Sequence, residues 1–195
     1  MSVTRRFLVW SIGFALIASA PGASYAQARP GGQPFDEYEV KAAFLFNFAK
    51  FVAWPEGVVP AAPAPIVIGI LGEDPFGAML EDVTSSERVN GREILVRRLG
   101  PADDPRSCPI LFISESEHRR LPEIFARLKG ANVLTVGDVE GFTGAGGVIR
   151  LTREDSRVGL EISLAAAERA GLRISSRLLS LAHIVEFGSE HEAQR

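Results

Sequence analysis

The sequence predicts an α/β domain with a mostly parallel central sheet of about six strands, flanked by helices and carrying a C-terminal antiparallel hairpin. Three observations lead there. Short, continuously apolar runs such as Ile66 to Gly72 (IVIGILG) and Pro109 to Ser114 (PILFIS) fit strands buried on both faces. They alternate with stretches of helical period, the pattern of a parallel sheet with crossover helices. Gly147 to Thr152 and Arg157 to Ile162 then follow one another across Arg153-Glu154-Asp155-Ser156, which is hairpin spacing.

Residues 1–26 read as an export signal rather than as fold. Arg5 and Arg6 form a basic start, Phe7 to Ala20 is apolar, and Ser24-Tyr25-Ala26 places small residues for cleavage after Ala26. The apolar run is shorter than the ~20 residues a membrane span needs. Cleavage removes two arginines and no acid, so the mature chain is more acidic than the formal charge of −3. That balance argues against general binding to nucleic-acid backbones, which takes basic patches. The expected address is the periplasm. The expected organisation is a flexible segment at 27–35, a single α/β domain at 36–188 and a flexible tail at 189–195.

The domain opens with a helix over about Glu37 to Ala53, stopped by Pro55. At about 100° per residue, Phe51, Phe44, Phe48, Val52, Leu45, Tyr38 and Phe46 sweep out roughly 220° of its surface. A surface helix needs a stripe of only ~100° or somewhat more. The helix is therefore expected to lie between the sheet and a second element, with part of its aromatic face open to a partner at Phe46, Lys50 and Trp54. Lys41 falls inside the apolar arc and is expected to snorkel to water.

Pro60 to Pro65 is a stiff connector into the first strand, Ile66 to Gly72. Asp74-Pro75 opens a short helix through Met79 and Leu80. Gly91 to Leu99, Pro109 to Ser114 and Asn132 to Asp138 are the next strands. Between the last two, Ser116 caps a helix that ends near Leu128, at Lys129-Gly130. After the hairpin, helices are expected over Ser163 to Ala170 and Ser175 to Val185, divided by Gly171.

Chemistry is sparse. Loops that would follow the strands carry Glu73-Asp74, Ser114-Glu115 and Asp138-Val139-Glu140, the end of a parallel sheet where ligands bind. Helix capping and loop solvation explain these residues better than a metal, because no ligand spacing links them. The glycine run at 144–147 leads into a strand, so it is a turn and not a nucleotide loop. His118, His183 and His191 form no ligand pair. Cys108 is the only cysteine, which excludes an internal disulfide. It is expected to be a buried thiol.

Tyr38 to Pro55 (YEVKAAFLFNFAKFVAWP) resembles the opening motif of the YfiR/HmsC-like periplasmic proteins. Ile68 to Gly77 (IGILGEDPFG), Gly91 to Leu99 (GREILVRRL) and Cys108 to Glu117 (CPILFISESE) continue the likeness in order. So do Leu134 to Phe142, Gly146 to Leu151 and Val158 to Val185. The resemblance implies a non-enzymatic regulator without cofactor or metal. Such a protein would bind the periplasmic sensor domain of an inner-membrane diguanylate cyclase of the YfiN type, or another membrane sensor, and repress cyclic di-GMP synthesis and biofilm formation. It also implies an OmpA-like outer-membrane lipoprotein as a second partner, and a homodimer. Family members often pair the cysteine at the position of Cys108 with one in the first strand, where this chain has Gly69.

Glu161 is charged inside an apolar strand. It reads equally as an interface residue or as the solvent face of an edge strand. The alternatives to a regulator are a periplasmic small-molecule-binding module that uses the strand-end loops, and, less favoured, an enzyme using Asp138 and Glu140.

Overall fold

The structure, a computed structural model, describes residues 37–59, 61–100, 102–154 and 157–185. The expected export signal, the segment at 27–35, the expected tail and His191 lie outside the described residues.

The chain begins with helix α1 (Glu37–Phe51) and a two-residue strand β1 (Val52–Ala53). β2 (Ile66–Leu71), α2 (Met79–Ser85) and β3 (Ile94–Leu99) follow, then β4 (Ile110–Ile113), α3 (Leu121–Leu128) and β5 (Leu134–Gly137). β6 (Ile149–Glu154) and β7 (Arg157–Ser163) form the hairpin. α4 (Leu164–Arg169), β8 (Arg173–Ile174), α5 (Ser176–Leu179) and β9 (His183–Val185) complete the domain.

Among the described residues, seven strands make the main sheet in the order β3-β2-β4-β5-β6-β7-β9, and β1 pairs with β8 in a separate antiparallel ribbon. Every neighbouring pair in the main sheet is parallel except β6 and β7. The predicted fold class stands, with one strand more than expected. That strand is β9. Its residues, His183–Val185, were expected at the end of a helix from Ser175, but α5 stops at Leu179. The chain then pairs alongside β7, with Ile184 opposite Ile162. Ile184 and Val185 are β-branched, and sheet pairing overrides the apparent helical period. β9, not the hairpin, forms that edge of the sheet.

Alternation along each strand divides the apolar residues between two cores. Ile68, Ile70, Phe112, Val136, Ile149 and Ile162 share a core with α1 and α2. Leu71, Leu111, Ile113 and Val133 share the other with α3. α1 is buried on more than one side: Ala42, Leu45, Phe46, Phe48 and Ala49 are all 6% exposed or less. That is how its broad aromatic arc is used. Phe44 and Phe51 are partly buried against the same core.

The loop after β4 shows a shifted cap. Ser114, not Ser116, caps the turn, its hydroxyl accepting from the Ser116 N–H. A 3-10 stretch (Glu115–Arg120) precedes α3. The cap moves because β4 ends at Ile113, one residue earlier than the apolar run suggests.

The glycine-rich turn at 144–147 has a packing role. Phe142 is fully buried, and its ring lies over the positions where Cβ atoms at Gly137 and Gly147 would sit. Both glycines let the ring lie flat on the sheet.

Candidate functional site

α1 runs from the C-terminal end of β5, where Tyr38 and Lys41 meet Asp138, to the start of β4, where the Trp54 indole N–H donates to the Pro109 carbonyl at 3.2 Å. Its two ends differ in chemistry.

The first end carries a buried ion cluster. Lys41 is 3% exposed, and its ammonium lies 2.7 Å from Asp138 Oδ2 and 2.6 Å from Glu37 Oε1. The Tyr38 hydroxyl donates to the same Asp138 oxygen at 3.2 Å, and the ammonium sits 4.5 Å from the Tyr38 ring centroid. Arg153 reaches the other Glu37 oxygen at 3.2 Å. Burial alone would lower the Lys41 pKa, but hydrogen bonds to Asp138 and Glu37 outweigh it and hold the ammonium above its ordinary value. Burial, reinforced by the Asp138 charge, raises the Tyr38 phenol.

Lys41 therefore does not snorkel. The expectation fails because Glu37, one turn earlier, and Asp138, on a distant element, together hold the ammonium inside. Asp138 Oδ1 is buried and has no hydrogen-bond partner among the described residues.

The four residues expected to meet a partner are not together. Lys50 is in the last turn of α1, and Trp54 follows just beyond β1. The Lys50 ammonium pairs with Glu87 at 2.9 Å and lies 4.4 Å from the Phe46 ring centroid. Its side chain is 34% exposed, and Trp54 is half-buried. Phe46 is 4% exposed and belongs to the core. Glu161 alternates with Leu160 and Ile162, which join the α1 core, so its carboxylate is on the opposite face of the sheet. It is buried, accepts a hydrogen bond from Thr143 and faces Arg150 at 3.4 Å. The solvent-facing edge strand expected for it is not observed, because β9 pairs beyond β7.

The strand-end loops have mostly structural roles. Asp74 accepts from the Phe76 and Gly77 N–H groups and pairs with Arg98, which also reaches Glu81 and the Gly77 carbonyl. The hydrogen bond from Arg98 lowers the Glu81 pKa. Asp138 is buried in its ion cluster, whereas Glu140 is exposed, so the two do not act as facing carboxylates. His118 is exposed, 3.9 Å from Glu115, and His183 is an exposed residue of β9 rather than of a helix. No group of three metal-binding side chains forms among the described residues.

A small polar cleft does open here. It has a volume of ≈ 330 Å³ and is lined by Leu71, Gly72, Glu73, Leu99, Ser116, Glu117 and Arg120. β2 and β4 are adjacent, yet the helices that follow them, α2 and α3, pack on opposite faces. The cleft thus lies at a topological switch point, where α/β sheets bind ligands.

Cys108 is fully buried, as expected, and the Arg97 guanidinium donates to its sulfur at 3.1 Å. A Cβ at Gly69 would lie 2.7 Å from that sulfur. The resemblance pointed to this pairing, and the fold sets the two residues side by side.

No curated protein matches the chain. A conserved domain protein from Vibrio cholerae O1 biovar eltor str. n16961 aligns at 12% identity over 60% of this chain and 54% of its own, with a TM-score of 0.46. The ABC domain from Streptococcus pneumonia, crystallised in complex with L-Trp, aligns at 10% identity over 72% of this chain and 59% of its own, with a TM-score of 0.50. This chain thus spans less than two thirds of either relative, and the second likeness speaks to fold alone. Among the described residues, no helix is long and apolar enough to cross a membrane. The YfiR/HmsC-like family model matches residues 38–183, nearly the whole described domain, and on that match the chain belongs to the YfiR/HmsC-like family.

Proposed function

We propose that the protein is a periplasmic regulator that represses cyclic di-GMP synthesis by binding the periplasmic sensor domain of an inner-membrane diguanylate cyclase of the YfiN type. The family match over residues 38–183 carries this reading, because the family is one of periplasmic regulators of cyclic di-GMP signalling with no known enzymes. A regulator of this kind needs no reacting groups. It acts by binding one conformation of the sensor more tightly than another, and the shift it imposes is limited by that difference in affinity.

On this reading the contact lies at the C-terminal end of α1, where Lys50 and Trp54 reach the surface. Phe46, beneath the Lys50 ammonium, and Glu161, across the sheet, shape the domain behind it. An OmpA-like outer-membrane lipoprotein that withdraws the regulator, and self-association, complete the proposal. In-cell photocrosslinking from positions 50 and 54 tests it. The expected adduct contains a membrane-bound diguanylate cyclase. Adducts with soluble proteins alone, together with cyclic di-GMP unchanged on gene deletion, would refute it.

A second reading is a small-molecule sensor that uses the strand-end loops, favoured by the ≈ 330 Å³ cleft at the switch point. A ligand there raises the melting temperature in proportion to the logarithm of its concentration. Abolition of that shift by Glu73→Gln or Arg120→Gln would locate it, and retention in both variants would exclude the cleft.

A further inference from the structure

The larger cavity of ≈ 510 Å³ opens away from those loops, beside the starts of β5 and β6 and between the ends of α3 and α4. Its volume is in the range of small-molecule sites. Its walls are Phe125, Leu128, Val133, Val148, Ala166 and Ala170, an aromatic and aliphatic surface.

Three polar features break that surface. Thr135 lines the cavity and is 5% exposed; its hydroxyl oxygen accepts the Val148 N–H at 3.0 Å. The hydroxyl proton has no acceptor among the described residues, so Thr135 offers a buried donor. Lys129 and Arg169 are the charged lining residues, and no carboxylate lines the cavity among the described residues. Lys129 is exposed and its ammonium has no partner among them.

The cations have an ordinary alternative role, which is to answer the carbonyls at the end of α3. Arg106 already does this, donating to the Arg127 carbonyl at 2.7 Å and reaching the Lys129 carbonyl at 3.5 Å. Lys129 is left over for another anion.

We propose that this cavity binds an amphipathic monoanion, a medium-chain carboxylate, with its chain against Phe125, Val133 and Val148 and its headgroup toward Lys129, Arg169 and the Thr135 hydroxyl. The same geometry disfavours zwitterionic amino acids and cationic amphiphiles, whose ammonium groups would meet the cationic Lys129 and Arg169 in a cavity that no carboxylate lines among the described residues. This site is separate from the α1 end and from the strand-end cleft, so its test is independent of either functional reading.

The experiment is isothermal titration calorimetry of the purified mature chain with decanoate, decyltrimethylammonium and L-leucine, below micellar concentrations. Decanoate is expected to bind saturably at one per chain, and the other two to give no saturable heat. Lys129→Glu, an exposed change, is expected to weaken decanoate at least tenfold. Ala170→Leu, which fills the half-buried rim, is expected to abolish binding while leaving the circular dichroism spectrum unchanged. If Ala170→Leu does not fold, Lys129→Glu alone decides. Absence of decanoate binding, equal binding of the cationic amphiphile, or unaltered affinity in Lys129→Glu would overturn the proposal.

Discussion

Replacing Lys41 by Met should destabilise the domain by about 3–5 kcal/mol, the cost of breaking a buried ion pair by removing one partner. The Lys41 ammonium lies 2.7 Å from Asp138 Oδ2 and 2.6 Å from Glu37 Oε1. At an effective dielectric constant of about 20, each separation gives a gross attraction of about 6 kcal/mol. Desolvation costs several kcal/mol per ion and consumes much of that gain. The single variant removes the lysine's own desolvation cost with its charge but leaves the carboxylate's cost without the compensating attraction. Glu37 retains Arg153 at 3.2 Å, so the penalty falls on Asp138, whose side chain is 9% exposed and whose Oδ1 already has no partner among the described residues.

Lys41→Met with Asp138→Leu removes both charges and replaces them by apolar groups of similar size. The pair should then cost less than Lys41→Met alone, with a coupling energy of about 2 kcal/mol or more in a double-mutant cycle. Urea unfolding at pH 7, followed by the midpoint at unchanged m-value, measures both quantities. A loss below about 1 kcal/mol for Lys41→Met, or additive single effects, would show that the cluster is solvated and does not hold α1 to β5.

Four further outcomes follow from the same structure. Lys41 and Tyr38 both hold their protons more tightly folded than unfolded, so their stabilisation is full below about pH 10 and is lost as pH rises through the folded values; the alkaline limb of a stability–pH profile should flatten in Lys41→Met. Gly69→Ala should destabilise by about 1–3 kcal/mol through overpacking on Cys108. Gly69→Cys should instead oxidise to a disulfide with Cys108 and recover that loss or exceed it, closing a loop of about 40 residues worth about 3–4 kcal/mol; a persistent free thiol by Ellman titration would contradict the adjacency. Gly147→Ala should cost about 1–3 kcal/mol, because its Cβ would enter the Phe142 ring, and an unchanged urea midpoint would show that the ring has room to move.

The sheet was legible because its buried strands are continuous apolar runs. Ile66–Leu71 and Ile110–Ile113 admit few other placements, and the hairpin was marked by spacing alone. β9 was not legible. Three residues after Leu181-Ala182 look helical until β7 provides an edge, a tertiary effect that no local pattern encodes. The breadth of the α1 arc correctly announced a helix buried on several sides. It could not announce the Lys41–Asp138 pair, whose partners are 97 residues apart and meet only once α1 docks at the end of β5. A lysine inside an apolar arc is nevertheless a signal. It asks for a counter-ion, and an acid at a strand's C-terminal end is a natural place to seek one.

Glu161 was noticed for the right reason, its charge in an apolar strand, but its burial comes from β9 and from Thr143 in a distant turn. The cavity beside α3 was invisible because its lining is drawn from α3, the starts of β5 and β6, and α4, and none of those stretches is unusual by itself.

The regulatory account is tested most directly by measuring cyclic di-GMP in cells lacking the gene and in the same cells complemented with the wild-type chain or with Trp54→Ala. Deletion should raise the nucleotide and the wild-type chain should restore the low level. Trp54→Ala, if present in the periplasm at normal abundance, should fail to do so. Cyclic di-GMP unchanged on deletion would contradict the account.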